Sequence, residues 1–263
     1  MAKVTAVANQ KGGVAKTTSV QTLGAALAEM GLRVLLVDLD PQACLTWSHG
    51  IDPDLLEQSL HDVMINRAAI ADVVLTVGGV HLVPASIDLA GAEVHLLSRT
   101  GREYQLRNAL KPVADAYDHI LIDCPPSLGI LTINGLTAAD DVLVPLQCET
   151  LSRRGVGQLL ETIEDVKAYT NPGLQVRGVI ATMFDRRTKL AQQIVDSVPE
   201  MYGLEVLLPP VPKSVKVAEA PSGGTSILDH ATSSPPARAY RELALLLTVE
   251  PVTQPVVEPV AAP

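Results

Sequence analysis

The segment Asn9-Gln10-Lys11-Gly12-Gly13-Val14-Ala15-Lys16-Thr17-Thr18 follows the apolar run Val4-Thr5-Ala6-Val7-Ala8 and precedes an alanine-rich stretch with helical spacing. That order commits the start of the chain to a strand, a glycine-paired loop and a helix. Such a unit aims backbone N–H groups and a helix N-terminus at an anion, which is how proteins cradle nucleotide phosphates. In it Lys16 would reach the β- and γ-phosphates, and the Thr17 hydroxyl would sit on Mg2+. The ordinary spacing G-x-x-x-x-G-K-[ST] is not met, because its two glycines fall on Gln10 and Ala15. What stands instead is K-G-G-x-x-K-[ST], with an additional lysine at Lys11.

Downstream, apolar runs alternate with helix-like segments. The pattern predicts strands over 4–8, 34–37, 80–83, 119–122, 142–145, 176–182 and 206–211. Helices are predicted over 17–30, 102–116, 129–138, 153–169, 188–202 and 236–247, with 222–224 and 233–236 as loops. The strand runs are continuously apolar, as strands buried on both faces of a parallel sheet are. Their alternation with helices predicts a doubly wound α/β fold, a mostly parallel sheet flanked by helices. Ligands of such sheets bind at the carboxyl ends of the strands, where residues 11–18, Asp40, Asp123 and 211–213 would gather. One domain is expected over 1–248. The segment 249–263, with a proline every four residues, is expected to be a disordered tail.

Two acidic strand ends complete the constellation. Val34-Leu35-Leu36-Val37-Asp38-Leu39-Asp40-Pro41-Gln42 places Asp40 where it would position an attacking water and touch the Mg2+ water shell. A plainer reading makes Asp38 and Asp40 caps of the next segment. His119-Ile120-Leu121-Ile122-Asp123-Cys124-Pro125-Pro126 ends in a carboxylate of the kind that holds Mg2+ through water. These motifs, in this order, resemble the ParA/Soj partitioning ATPases of the ParA/MinD superfamily, with its deviant phosphate loop. Ala181-Thr182-Met183-Phe184-Asp185-Arg186-Arg187-Thr188 and Pro210-Val211-Pro212-Lys213-Ser214-Val215-Lys216-Val217-Ala218-Glu219-Ala220-Pro221-Ser222 extend the resemblance, which covers residues 3–247.

The resemblance implies a P-loop NTPase fold and an Mg2+-dependent ATPase, cytoplasmic and nucleoid-associated, with weak intrinsic hydrolysis. Lys11 would act across an ATP-dependent homodimer on the partner's nucleotide. Gly12, Gly13, Val14, Ala15, Lys16, Thr17 and Thr18 would bind ATP, and Thr17, Asp40 and Asp123 would serve Mg2+. Lys11, Lys16 and Asp40 would support hydrolysis, and Pro212 and Ser214 would border the adenine. Arg187, Lys213 and Lys216 would contribute to a surface for non-specific DNA, and a ParB-like protein would stimulate turnover. Ala15 replaces the family's usual glycine, so slower hydrolysis or altered dimerisation is expected. The short lead before the first strand predicts no N-terminal helix-turn-helix domain.

Composition bounds the alternatives. Aromatics make up 3% of a chain that is 47% hydrophobic, so the core must be built from Val, Leu, Ile and Ala. A net charge of −9 excludes a uniformly basic coat, although a local patch suffices for nucleic acid. Arg177, Arg186, Arg187, Lys189, Lys213 and Lys216 are the candidates for such a patch. Cys44, Cys124 and Cys148 lack C-x-x-C spacing and read as core thiols, against an iron–sulfur role. The six histidines show no metal spacing. A MinD-like membrane switch or an orphan positioning ATPase for a protein cargo is the alternative. No apolar run is long enough to span a bilayer, and the proline-rich, acidic terminus is unlike a membrane-binding helix.

Overall fold

A computed structural model describes residues 2–148 and 153–249, with the side chains of Arg153 and Arg154 left aside. Its centre is an eight-stranded sheet of order β3-β4-β2-β5-β1-β6-β7-β8. The strands are β1 (Lys3–Val7), β2 (Val34–Asp38), β3 (Leu75–Val77), β4 (Val80–Val83), β5 (His119–Asp123), β6 (Asp141–Gln147), β7 (Gln175–Thr182) and β8 (Val206–Leu207). Only β3 runs antiparallel, joined to β4 through Gly78 and Gly79, both at positive φ.

Helix α1 (Lys16–Glu29) crosses from β1 to β2. Between β2 and β3 lie α2 (Cys44–Ser48), α3 (Leu60–Met64) and α4 (Ile70–Val73), and between β4 and β5 lie α5 (Leu89–Leu97) and α6 (Gln105–Leu110). Helices α7 (Ile130–Ala138), α8 (Arg153–Tyr169) and α9 (Lys189–Tyr202) alternate with β6, β7 and β8. The chain closes with α10 (Val215–Glu219), α11 (Ile227–His230) and α12 (Pro235–Leu247).

Both faces of the sheet are buried, and the period of two along each strand divides the core. Leu35, Val37, Ile120, Ile122, Val142 and Val144 pack into one layer. Their neighbours Val34, Leu36, Leu121 and Leu143 pack into the other, beneath α1 and α12. Successive side chains of a strand point to opposite faces, so only a continuous apolar run fills both layers. Helix α12 is fastened to α1 by a Ser19–Tyr240 hydroxyl pair at 3.0 Å and by Arg241, which donates to both oxygens of Glu29.

Several expectations are corrected. The helix expected over 102–116 is broken: α6 ends at Leu110, and short 3-10 turns flank it at Arg102–Tyr104 and Ala114–Ala116. Lys111 keeps helical backbone, but Pro112 supplies no N–H, so the ladder stops there. Strand β8 covers two residues rather than 206–211, because Pro209 and Pro210 cannot donate to a ladder. Strand β6 continues past Pro145, pairing Leu146 and Gln147 with Ala181 and Thr182. Pro235 and Pro236 are not loop but the first turn of α12, where a missing N–H costs nothing, with Ser234 as cap. Ser222 and Gly223 belong to the 3-10 turn Ala220–Gly223. The expected tail lies outside the described residues from 250 onward.

Gly178 marks the tightest backbone approach in β7. It sits at φ +148 beside a register shift, and a Cβ there would stand 2.9 Å from the Glu205 carbonyl oxygen. Gly178→Ala is expected to cost about 1–3 kcal/mol. Thermal unfolding checks this as a fall in Tm on the order of 5 °C.

Candidate functional site

The parallel strands deliver their carboxyl ends to one edge, and the loop after β1 lies there. Asn9, 3% exposed, shapes its entry: its Oδ1 accepts from the Lys11 N–H at 2.9 Å, and its Nδ2 donates to the Pro145 carbonyl at 2.7 Å. Gly13 (φ 72) and Ala15 (φ 67) adopt left-handed backbone on either side of buried Val14. Such alternation turns successive N–H groups toward a common concavity that suits anions. Thr182 at the end of β7 donates its hydroxyl to the Val14 carbonyl at 3.1 Å, tying the loop to the far half of the sheet. The left-handed Ala15 carries the strain that the missing glycine predicts.

Helix α1 opens at Lys16, whose side chain is buried and donates from Nζ to the Lys11 carbonyl at 3.2 Å. Burial pulls its pKa down against the attraction of Asp123 and Asp40. Thr17 donates its hydroxyl to Asp123 Oδ2 at 2.6 Å. Asp123 is 1% exposed, and its other oxygen, Oδ1, has no hydrogen-bond partner. Burial, then the neighbouring Asp38, pushes this carboxyl well above the usual range. An orphaned, buried carboxylate oxygen beside a threonine hydroxyl is a donor set that fits Mg2+ and its water shell. Thr17 and Asp123 are the residues that would hold the ion.

The two aspartates after β2 divide their roles. Asp38 is fully buried and accepts at Oδ2 from the Thr46 N–H and hydroxyl, at 2.8 and 2.7 Å. Burial raises it to about 7. It anchors α2, as the plainer reading had it. Asp40 accepts from the Gln42 N–H at 3.0 Å and lines the cavity.

That cavity, about 940 Å3, brings together Gly12, Gly13, Ala15, Lys16, Thr17, Thr18, Asp40, Pro212, Lys213 and Ser214. Val14 is buried beneath it, and Lys11 turns aside to Gln147, donating from Nζ to Oε1 at 3.1 Å. Cys44, expected among the core thiols, is exposed and lines the cavity, because α2 begins at the cavity edge. Cys124 and Cys148 are buried.

The expected basic patch is only partly assembled. Arg186, Arg187 and Lys213 line an adjoining groove of about 540 Å3 with Phe184 and Asp185. Arg187, 84% exposed, grips Asp185 with two guanidinium donors at 3.0 and 2.8 Å and holds that carboxyl at about 2. Lys216 is exposed on α10. Arg177 is not part of the patch: near the opposite end of β7, it donates to the Leu246 and Val249 carbonyls at the end of α12. Sequence spacing also gave no hint of Asn9, Gln147 and Thr182, which hold the loop across the sheet.

A family model described as an AAA domain matches residues 2–176. The sporulation initiation inhibitor protein Soj of Bacillus subtilis is 44% identical over 93% of this chain and 97% of its own length. The chain belongs to the ParA/Soj family. The chromosome partitioning protein ParA of Caulobacter vibrioides is 43% identical over 92% of each chain. Among solved structures, a Mycobacterium smegmatis protein named cobyrinic acid a,c-diamide synthase, with ADP and magnesium bound, is 51% identical. It covers 94% of each chain with a TM-score of 0.86. The cell division ATPase MinD of Pyrococcus furiosus shares the fold, with a TM-score of 0.74 over 94% of this chain and 99% of its own at 24% identity. Among the described residues, no helix is long and apolar enough to cross a membrane.

Because burial and the neighbouring Asp38 penalise the charge on Asp123, Asp123→Asn is expected to stabilise the ligand-free protein by roughly 1 kcal/mol. The same change should abolish the additional thermal stabilisation that Mg2+ gives in the presence of ADP. Melting curves with and without Mg2+·ADP check both effects.

Proposed function

We propose that this protein is an ATP-dependent dimerising switch that binds DNA without sequence preference and drives partitioning of a chromosome or plasmid. The observation that carries this reading is the shared wall: Pro212 and Lys213 line both the phosphate-loop cavity and the basic groove. In this reading, occupancy of one shifts the wall of the other. The 43–44% identity to Soj and ParA supports the same reading.

In this reading the loop N–H groups and Lys16 hold the phosphates of ATP, and Pro212 and Ser214 border the adenine. A bound Mg2+ ion neutralises charge on the phosphate oxygens during phosphoryl transfer. Thr17 and Asp123 orient that ion's surroundings, and Asp40 positions the attacking water. Lys11 leaves Gln147 to reach the nucleotide of a second protomer. Arg187, Lys213 and Lys216 contact DNA phosphates, and a ParB-like partner accelerates the otherwise slow turnover. The protein then works in the cytoplasm on the nucleoid. The Ala15 methyl stands at the cavity wall in strained backbone. Ala15→Gly is therefore expected to speed hydrolysis several-fold while moving Tm by less than about 3 °C, since relief of strain is offset by unfolded-state entropy.

Retention on non-specific duplex DNA across a salt titration, with ATP, ADP or no nucleotide, tests the switch. Binding that needs ATP and weakens steeply with salt is expected, because phosphate contacts release counterions. Arg187→Glu should weaken it at least about tenfold. Nucleotide uptake without ATP-dependent retention would sink the DNA reading. The name of the M. smegmatis protein supplies a second reading, ATP-driven amidation of a small polycarboxylic acid, whose carboxylates suit the same groove. ATP turnover stimulated by cobyrinic acid with an ammonia donor, and not by DNA, would favour it.

A further inference from the structure

The chain holds one tryptophan, Trp47, and it is half exposed. Its helical neighbours explain why. Thr46 is clamped by Asp38, and the Ser48 carbonyl accepts from Gln21 Nε2 at 2.6 Å, which ties α2 to α1. Thr46 and Ser48 are buried, so the turn of this short helix sends the residue between them outward. Outward here is not bulk solvent: the indole lines the same cavity as Lys16, Thr17 and Pro212. Together with Pro221 it also lines a second hollow of about 260 Å3, so it stands as a partition between the two.

Part of the lining it shares is apolar. Val217 and Pro221 contribute from the segment that follows Ser214, and α10 itself buries none of its residues. This side of the cavity therefore offers a flat aromatic face and aliphatic surface with little protein packed against them. The phosphate loop contributes charge and N–H donors to the same space. A ligand that satisfies both is anionic in one part and flat and apolar in another.

We propose that Trp47 is a specificity-determining residue of the nucleotide site, its indole packing against the purine base of the bound nucleotide. This rests on the nucleotide reading above and adds to the Pro212 and Ser214 border. Bases stack on aromatic faces through their π surfaces, and a purine buries more area there than a pyrimidine.

As the only tryptophan, Trp47 is its own reporter. Saturating Mg2+·ADP, with occupancy measured independently by calorimetry, is expected to change its fluorescence. Trp47→Ala should weaken ADP binding roughly tenfold, the usual loss for one stacked base. Inorganic tripolyphosphate, which has no base, should bind wild type and variant alike. Trp47→Phe should recover most of the ADP affinity, and all three proteins should melt within a few degrees of one another. Unchanged fluorescence at full occupancy would overturn the proposal, as would a Trp47→Ala variant that binds ADP within twofold of wild type. Equal losses for ADP and tripolyphosphate would overturn it too, by placing the effect on the phosphate loop. If calorimetry finds no ADP uptake by the wild type, the nucleotide reading falls with it. Uptake with an indifferent Trp47 removes this proposal alone.

Discussion

One buried ammonium, that of Lys16, faces two carboxylates at the carboxyl edge of the sheet, Asp123 and Asp40. Asp38 neighbours Asp123 in turn, and burial penalises the charge on Lys16, Asp38 and Asp123 before any attraction repays it. Asp38 meets the cost with hydrogen bonds from Thr46 and stays inside the fold. Asp123 has only Thr17 on one oxygen and nothing on the other. The imbalance makes this edge receptive to a cation, while the loop above it is receptive to an anion. A metal–polyphosphate pair answers both needs at once. The geometry of the loop, the register of β2 on β5 and the start of α1 all serve to hold this arrangement in place.

The same edge explains how distant parts of the sequence communicate. Thr182 binds the Val14 carbonyl, and two residues later the Phe184 N–H donates to the Val211 carbonyl at 2.9 Å. Lys213 returns its N–H to the Phe184 carbonyl at 3.0 Å. The phosphate loop, the end of β7 and the wall carrying Pro212 thus form one hydrogen-bonded chain. Asp185, Arg186 and Arg187 extend directly from it. The Arg187–Asp185 pair is solvent-exposed, so little free energy opposes its rearrangement when a stronger anion arrives.

Much of this was legible in the residues. The buried strands announced themselves as continuous apolar runs because both faces are covered. Helix α8 begins and ends where its periodicity places it, and α9 and α12 lie within a residue of theirs. The β3–β4 hairpin was missed although Gly78-Gly79 is a strong turn signal, because three residues of strand carry too little pattern. Helix α5 was missed because periodicity does not separate a short apolar helix from a buried strand. The break at Pro112 had a local cause that the surrounding periodicity concealed.

The sequence alone determined the phosphate cradle, the acidic strand ends and the layered sheet, since each depends on local chemistry: glycine and lysine spacing, strand-terminal aspartates, uninterrupted apolar runs. Tertiary structure alone decided which aspartate anchors α2 and which opens on the cavity. It also turned Lys11 onto Gln147, fastened Arg177 to the end of α12 and set Trp47 at the cavity edged by the glycine loop. These outcomes depend on which side chains meet across strands far apart in the chain. Residue spacing within one segment carries no record of that meeting.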